Sequence, residues 1–104
     1  MKVLRDYRGL SVRLSDERLA HILEHPEMGG MERAIEETLA QPERVLESFS
    51  DLDARLYYRF YTGTAAGDKY LGVIVKHAGG DAFVVTPYLT DKVKRGVLIW
   101  PKEL

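Results

Sequence analysis

The spacing of apolar residues changes at Pro42, and this change constrains the fold more than any other feature of the sequence. Before Pro42, apolar side chains recur with the period of one face of an α-helix. After Pro42 they alternate with polar side chains, which is the pattern of a half-buried β-strand. The chain is therefore expected to place its helices first and a sheet afterwards, as an α+β domain.

Two short helices are predicted in the first part of the chain, over residues 16–25 and 31–40. Ser15 is a favourable N-cap for the first helix, and acidic residues follow it where the helix dipole favours negative charge. Pro26 disfavours helix at the residue before it. Helices this short must pack against something else to be stable. Residues 10–14 alternate in polarity, which is typical of a short strand or an extended lead-in.

Four strands are predicted in the second part of the chain, with Gly- and Asp-rich turns between them. Their expected bounds are residues 44–50, 54–62, 69–77 and 81–90. Consecutive strands joined by short loops form an antiparallel meander. The predicted fold class is α+β, with two N-terminal helices packed on one face of a four-stranded antiparallel meander sheet. A turn of helix at residues 91–95 and a tail of residues 96–104 complete a single domain, residues 1–104.

Composition excludes several classes of protein. A length of 104 residues suits one domain, and the absence of cysteine excludes disulfides, thiolate metal sites and a catalytic thiol. Fifteen Lys and Arg against 16 Asp and Glu give a net charge of −1, so nucleic-acid binding would depend on a local basic patch. No stretch is apolar for long enough to be a secretory signal or a membrane span. A cytoplasmic protein without membrane contact is therefore expected.

Alternation along the strands sorts their side chains onto two faces. The helices are expected to cover the face that carries Leu56, Tyr58 and Phe60. The opposite face would be open, and it concentrates basic, aromatic and hydroxyl side chains with almost no acidic residue. Its basic, aromatic and hydroxyl members are Arg55, Tyr57, Arg59, Tyr61, Tyr70, Lys76, Thr86, Tyr88 and Thr90, and Gly72, Ile74 and Val84 are predicted on the same face.

This open face is suited to bind a nucleic acid, because arginine pairs with phosphate and tyrosine rings stack on bases. Its three cations on neighbouring strands could stabilise a pentavalent phosphate, and hydroxyl side chains of the last strand could position it. The cations are Arg55, Arg59 and Lys76, and the hydroxyl side chains are those of Thr86, Tyr88 and Thr90. Strand packing and solubility alone also favour such a composition.

His21 and His25 lie one turn apart on the first predicted helix. Two imidazoles at this spacing suit zinc, but the glutamate between them is misplaced for a metalloprotease motif and no spacing points to a third ligand. No metal site is therefore predicted. The other interpretations are an acid or base at the edge of the sheet and, for His25, a residue favoured by the dipole at a helix C-terminus.

Two residues late in the sequence carry local predictions. Pro87 cannot donate a hydrogen bond within strand 81–90, so it predicts an edge position or a bulge. Trp100 is expected to be largely buried against the domain or a partner, because a large aromatic side chain is usually used in packing.

The sequence resembles the phage- and prokaryote-associated small members of the barnase–EndoU–colicin–RelE-like nuclease superfamily in three stretches: LSDERLAHILEHPEM, DARLYYRFY and KYLGVIVKHAGGDAFVVTPYLTDKVKRGVLIWPK. This resemblance covers nearly the whole chain. It implies two helices followed by a four-stranded antiparallel sheet, and a ribonuclease that needs no metal or other cofactor. The site residues that it implies are His21 or His25, Arg59 and Lys76, and Thr86 with Tyr88.

The predicted function is a metal-independent ribonuclease that cleaves RNA by attack of the 2′-hydroxyl. A helix histidine would be the acid or base, and Arg59 and Lys76 would stabilise the phosphorane. The alternatives are a non-catalytic module that binds nucleic acid or a protein through the open face, and a metal-dependent enzyme that uses the histidines. RNA is the expected partner, and the toxin or phage-conflict setting of the family implies a small antitoxin-like protein. The expected substrate-binding residues are Arg55, Tyr57, Tyr61, Tyr88 and Thr90.

Overall fold

In a computed structural model that describes residues 1–101, two helices pack against one seven-stranded sheet. The strands are β1 (Lys2–Arg5), β2 (Ser11–Leu14), β3 (Arg44–Ser48), β4 (Ala54–Thr64), β5 (Gly67–Ala78), β6 (Asp81–Thr90) and β7 (Gly96–Trp100). The helices are α1 (Asp16–Leu23) and α2 (Glu32–Ala40), with a short 3-10 helix at Pro26–Met28 between them. The strand order across the sheet is β1-β2-β6-β5-β4-β3-β7.

The predicted four-stranded antiparallel sheet with N-terminal helices is wrong. Three further strands join β3 to β6, and two of them, β1 and β2, precede the helices. β2 pairs in parallel with β6, through Arg13 opposite Phe83, so the sheet is mixed. β7 lies in the region predicted as a tail and pairs antiparallel with β3. Residues 10–14, whose alternation indicated a short strand or an extended lead-in, do contain β2, whereas the sequences of β1 and β7 do not alternate and the pattern therefore predicts neither.

The helices follow their predicted signals closely but are shorter. Ser15 caps α1, since its side chain accepts a hydrogen bond from the backbone N–H of Arg18 at 3.1 Å. The helix ends at Leu23, because His25 before Pro26 is extended, as the clash with a proline ring requires. The predicted turn of helix at residues 91–95 is absent, and this segment is an irregular connection to β7.

The helices cover one face of the sheet and bury the main core there. Side chains of both helices and of most strands meet in this core. Its fully or almost fully buried members include Val12, Ile22, Ile35, Leu39, Val45, Tyr57, Leu71, Val73, Val75 and Val84. We call this side of the sheet the covered face. On the other side, the uncovered face, Leu46, Leu56 and Tyr58 form a second and smaller buried cluster.

The predicted faces of β4 are exchanged. Tyr57 lies on the covered face, whereas Leu56 and Tyr58 lie on the uncovered face. The pairing of Tyr57 with Val73 fixes this orientation, because directly opposed residues share a face. Alternation favours the wrong set because the covered set also contains Arg55 and Arg59, and Arg59 finds polar partners in Gln41 and Glu37 at the end of α2.

The face assignment of β6 is also partly wrong, because of a bulge. Val75 pairs with Val84 but the preceding Ile74 pairs with Thr86, so Val85 is an extra residue. Val84 is therefore buried in the main core instead of lying beside Thr86. An inserted residue reverses the alternation, and the sequence pattern cannot show where it occurs.

Trp100 was predicted to be largely buried against the domain or a partner. Its ring packs on Tyr7 with the centroids 5.1 Å apart, and 36% of the residue remains exposed. This exposed part follows from the position of β7 as an outer strand of the sheet. No helix within residues 1–101 is long and apolar enough to cross a membrane.

Candidate functional site

The second half of β6 has an outer edge that no strand within residues 1–101 covers. β2 pairs with β6 at one position only, and the chain then leaves the sheet to form α1. Pro87, which has no N–H to donate, lies in this part of β6, two residues after the bulge at Val85. Both features that Pro87 predicted, an edge and a bulge, are thus present in the same segment.

A cleft of about 370 Å³ lies between this edge and the segment formed by α1 and the 3-10 helix. Arg18, His21 and His25 line it from the helical side, and Thr86 and Tyr88 line it from β6. The rest of the lining is mostly apolar and comprises Ile22, Glu27, Met28, Val85, Pro87 and Leu89. The cleft is therefore lined by two histidines, an arginine, a threonine and a tyrosine from elements that are far apart in sequence.

The two histidines stand side by side at the cleft. Their ring centroids are 5.9 Å apart and their planes are nearly perpendicular. Nδ1 of His21 is 3.8 Å from a carboxylate oxygen of Glu24, and Nδ1 of His25 is 3.7 Å from one of Glu27, so neither contact is a hydrogen bond. Both imidazoles are more than half exposed.

Arg18 is a cleft residue that the sequence reasoning missed. Its side chain is exposed and forms no ion pair within the described part of the chain. The signal that could have found it is its spacing: positions 18, 21 and 25 differ by three and four, which places such residues on one side of a helix.

The two strand cations predicted to act with the histidines do not line the cleft. Arg59 lies on the covered face, where it donates to the Gln41 carbonyl at 2.7 Å and lies 3.4 Å from Glu37. Lys76 lies on the uncovered face and donates to Asp51 at 2.7 Å. This bond raises the pKa of Lys76 and lowers that of Asp51. Each cation is already paired with a carboxylate.

Two tyrosines predicted to stack on bases are instead packed under the helices and the loop after β1. Tyr57 is fully buried, and its hydroxyl donates to Asp6 at 2.9 Å. Tyr61 donates to Glu37 at 2.7 Å from the edge of the main core. Burial raises the pKa of Tyr57 and raises the pKa of Tyr61 to about 12. The prediction that these two rings lie on an open face is wrong.

A buried polar cluster around Asp6 was also missed. Asp6 is only 4% exposed, and besides the Tyr57 hydroxyl it accepts the backbone N–H groups of Arg8 and Leu10, both at 2.9 Å. These bonds order the loop between β1 and β2. The polar stretch around Asp6 has no periodicity, so the sequence gives no sign that one of its carboxylates is buried.

Arg55, predicted to bind substrate, lies on the covered face beside this cluster and near His77. The pKa of His77 is lowered, first by burial and then by the nearby positive charge of Arg55. Nε2 of His77 is buried and has no hydrogen-bond partner within residues 1–101. Burial and Arg55 therefore disfavour the protonated form of this imidazole.

The predicted hydroxyl side chains of β6 lie on the uncovered face. Tyr88 and Tyr58 share a hydrogen bond between their hydroxyl groups, above Gly72 on the strand between them. Burial, followed by this bond, raises the pKa of Tyr88. Thr86 lines the cleft, whereas Thr90 donates to the Lys92 carbonyl at 3.0 Å at the end of the strand. Of the predicted hydroxyl residues, Thr86 and Tyr88 are therefore the ones near the histidines.

Comparison with known proteins assigns the chain to no family. No family model, no curated protein and no solved structure matches it. No three side chains of His, Cys, Asp or Glu in residues 1–101 are grouped so that they could hold a metal ion. The nuclease resemblance stays a prediction.

Proposed function

We propose that the chain is a ribonuclease that cleaves RNA without a metal ion at the cleft between α1 and β6. The observation that supports this proposal is the pair of imidazoles 5.9 Å apart, with Arg18 and Thr86 lining the same cleft. Cleavage by the 2′-hydroxyl needs a base at the attacking oxygen and an acid at the leaving oxygen. Two exposed imidazoles beside one bound phosphate meet both needs.

The reaction follows from these groups. One histidine, in its neutral form, accepts the proton of the 2′-hydroxyl as that oxygen attacks phosphorus. The other histidine, in its protonated form, donates a proton to the 5′-oxygen as the P–O bond breaks. The products are a 2′,3′-cyclic phosphate and a free 5′-hydroxyl. Arg18 offsets the charge on the pentavalent phosphorus, and Thr86 donates to a non-bridging oxygen.

The proposal replaces Arg59 and Lys76 with Arg18 as the cation of the site. Arg59 is bonded to a backbone carbonyl and lies beside Glu37, and Lys76 is bonded to Asp51. Recruiting either of them would break an existing ion pair and move the side chain around the sheet. Arg18 needs no such rearrangement, because it already lines the cleft.

RNA binding without cleavage is the second candidate function, and the uncovered face favours it. Phe60 is 42% exposed and packs edge-on against Tyr70, with the ring centroids 5.1 Å apart. Nζ of Lys94 lies 5.7 Å from the centre of the Tyr88 ring. Aromatic rings with a cation beside them are suited to hold unpaired bases and their phosphates.

Cleavage of a fluorogenic single-stranded RNA in EDTA tests the proposal. We expect the wild-type chain to cleave it and His21→Gln and His25→Gln each to lower kcat/KM by on the order of 10²–10⁴. Arg18→Ala should lower it by on the order of 10²–10³. A substrate with a single 2′-deoxyribose at the scissile position should resist cleavage there, because the attacking hydroxyl is missing.

Arg33→Ala is the matched control, since Arg33 is also an exposed helical arginine but lies on α2 away from the cleft. Its activity should equal that of the wild type. An equal loss in Arg18→Ala and Arg33→Ala would contradict a specific role for Arg18. Tight binding of the RNA without cleavage by the wild type would favour the second candidate function, and neither binding nor cleavage would overturn both.

A further inference from the structure

The two imidazoles on the helical side of the cleft are spaced like two ligands of one metal ion. The ring centroids of His21 and His25 are 5.9 Å apart, and both side chains are more than half exposed. With Zn–N bonds of about 2.0–2.1 Å, the centroids of two imidazoles on one tetrahedral zinc ion lie roughly 5–6 Å apart. The observed separation lies in this range, so rotation of the two exposed side chains is enough to bring one nitrogen of each ring onto a shared ion.

Each of these imidazoles has a carboxylate beside its Nδ1. The carboxylate of Glu24 is 3.8 Å from Nδ1 of His21, and that of Glu27 is 3.7 Å from Nδ1 of His25. A histidine that binds a metal through one ring nitrogen usually donates the N–H of the other to a carboxylate or a carbonyl, which orients the ring and makes it a stronger ligand. A shift of less than 1 Å would turn both contacts into such hydrogen bonds. Nε2 of each ring is then the nitrogen that remains for a metal ion.

The surroundings of the pair decide which cation fits and how tightly it is held. Imidazole nitrogens suit Zn²⁺, whereas Mg²⁺ and Ca²⁺ prefer oxygen ligands. The charges of Glu24 and Glu27 together exceed the single positive charge of Arg18, which lines the same cleft, so a cation is not repelled. Within residues 1–101 no third His, Cys, Asp or Glu completes the set, so water or a substrate oxygen fills the other positions. Such a site binds zinc reversibly.

From this geometry we infer that Nε2 of His21 and Nε2 of His25 together bind one Zn²⁺ ion, with Glu24 and Glu27 orienting the two rings. The consequence for the cleft is inhibition, and this consequence rests on the proposed function. A metal-bound Nε2 has no free lone pair to accept a proton and no N–H to donate one. Zinc therefore removes the base and the acid of the proposed reaction together. The binding of zinc itself does not depend on ribonuclease activity.

Isothermal titration calorimetry of the untagged chain with zinc chloride tests the site directly. The wild type should bind one Zn²⁺ per chain with a dissociation constant on the order of 1–100 μM. His21→Gln and His25→Gln should each weaken this binding at least about tenfold, because only one ligating imidazole remains. His77→Gln is the matched control, since His77 is the remaining histidine of the sequence and lies on β5, where it does not line the cleft. Its dissociation constant should equal that of the wild type.

Cleavage of the fluorogenic RNA, measured without EDTA, gives the second readout. Zn²⁺ should inhibit the wild type half-maximally near the dissociation constant found by calorimetry, and added EDTA should restore the rate. Mg²⁺ at the same concentration should not inhibit, because it keeps its water and oxygen ligands. A chain that binds zinc through both histidines but never cleaves RNA would overturn the proposed ribonuclease and confirm the zinc site.

Three results would overturn the zinc site. The first is a wild-type chain that binds no Zn²⁺ at concentrations up to about 1 mM. The second is unchanged affinity in His21→Gln or in His25→Gln, which would show that the two imidazoles do not share an ion. The third is an equal loss of affinity in His77→Gln. A cleavage rate that rises with Zn²⁺ would contradict inhibition and would make the ion a cofactor of the reaction instead.

Discussion

Tyr57 and Tyr58 are consecutive residues of β4 and both are fully buried, yet they are buried in different ways. Tyr57 lies on the covered face, beneath other elements of the fold, and its hydroxyl bonds to Asp6 in the loop after β1. Tyr58 lies on the uncovered face, where it packs with side chains such as Tyr88 and Val93. Tyr57 is therefore enclosed between the sheet and the elements that cover it. Tyr58 is enclosed by neighbouring side chains on the same face of the sheet.

The difference shows what a sheet needs when no helix covers it. Two tyrosine rings can meet over β5 only because the residue between them, Gly72, has no side chain. An added Cβ there would lie 2.7 Å from the Tyr58 ring and 2.9 Å from the Tyr88 ring. On the covered face, the helices supply the packing partners, so the strands can carry ordinary branched side chains such as Val73.

The largest expected effect separates the two tyrosines directly. Tyr57→Ala should lower the free energy of unfolding by about 3–5 kcal/mol, because it leaves an enclosed cavity. Tyr58→Ala should cost at least about 1 kcal/mol less, because the uncovered face can collapse or admit water. Urea unfolding of both variants measures the difference. Equal losses would show that the uncovered face is as closed as the covered one.

A medium effect is expected at Gly72. Gly72→Ala should cost about 1–3 kcal/mol, because the new methyl group displaces the two rings above it. In a Tyr88→Ala background the same substitution should cost less, since one of the rings is gone. A double-mutant cycle by urea unfolding gives the coupling between the two sites. If the two losses of unfolding free energy are additive, the cost of Gly72→Ala does not come from a clash with the Tyr88 ring.

The smallest expected effect concerns pH and belongs to the covered face. The pKa of His77 lies below its ordinary value of 6.5, because burial and Arg55 disfavour the charged form. Below about pH 6.5 the unfolded chain therefore binds a proton that the folded chain resists, and the free energy of unfolding falls as the pH is lowered. Above that pH both states are neutral at this position, and the loss disappears.

His77→Gln isolates this contribution, because glutamine does not titrate. The decrease in the free energy of unfolding between pH 7 and pH 5 should be smaller in the variant than in the wild type. An NMR titration of the wild-type imidazoles gives an independent measurement, in which the pKa of His77 should lie below 6.5. If the free energy of unfolding depends on pH identically in the wild type and His77→Gln, His77 does not contribute to that dependence.

Features encoded within a few residues could be predicted from the sequence. Ser15 caps α1 through a bond to a residue three positions later, and β6 spans Asp81–Thr90 as its alternation and flanking turns indicate. Such features depend on local chemistry, which a single sequence carries in full. The spacing of His21 and His25 predicts that they lie close together, and they do, although α1 ends at Leu23 and His25 is the extended residue before Pro26.

Features that depend on distant contacts could not be predicted. Which face of β4 meets the helices is decided by its pairing with β5, and the face that does so carries Arg55 and Arg59 as well as two tyrosines. The contacts of the Arg59 side chain depend on where α2 ends, because its partners are Gln41 and Glu37. Sequence reasoning therefore named the histidines and Thr86 that line the cleft, whereas the cations that it named, Arg59 and Lys76, do not line it.

The single parallel contact between β2 and β6 also determines when the cleft can exist during synthesis. Arg13 and Phe83 are 70 positions apart (83 − 13 = 70), whereas two residues join β4 to β5 between Thr64 and Gly67. Closing the longer loop costs roughly 3 kcal/mol more chain entropy than closing the shorter one. The hairpins of β4, β5 and β6 therefore form first and β2 docks afterwards. On the ribosome, α1 emerges early with its histidines, yet it has no strand to face until most of the chain has been made.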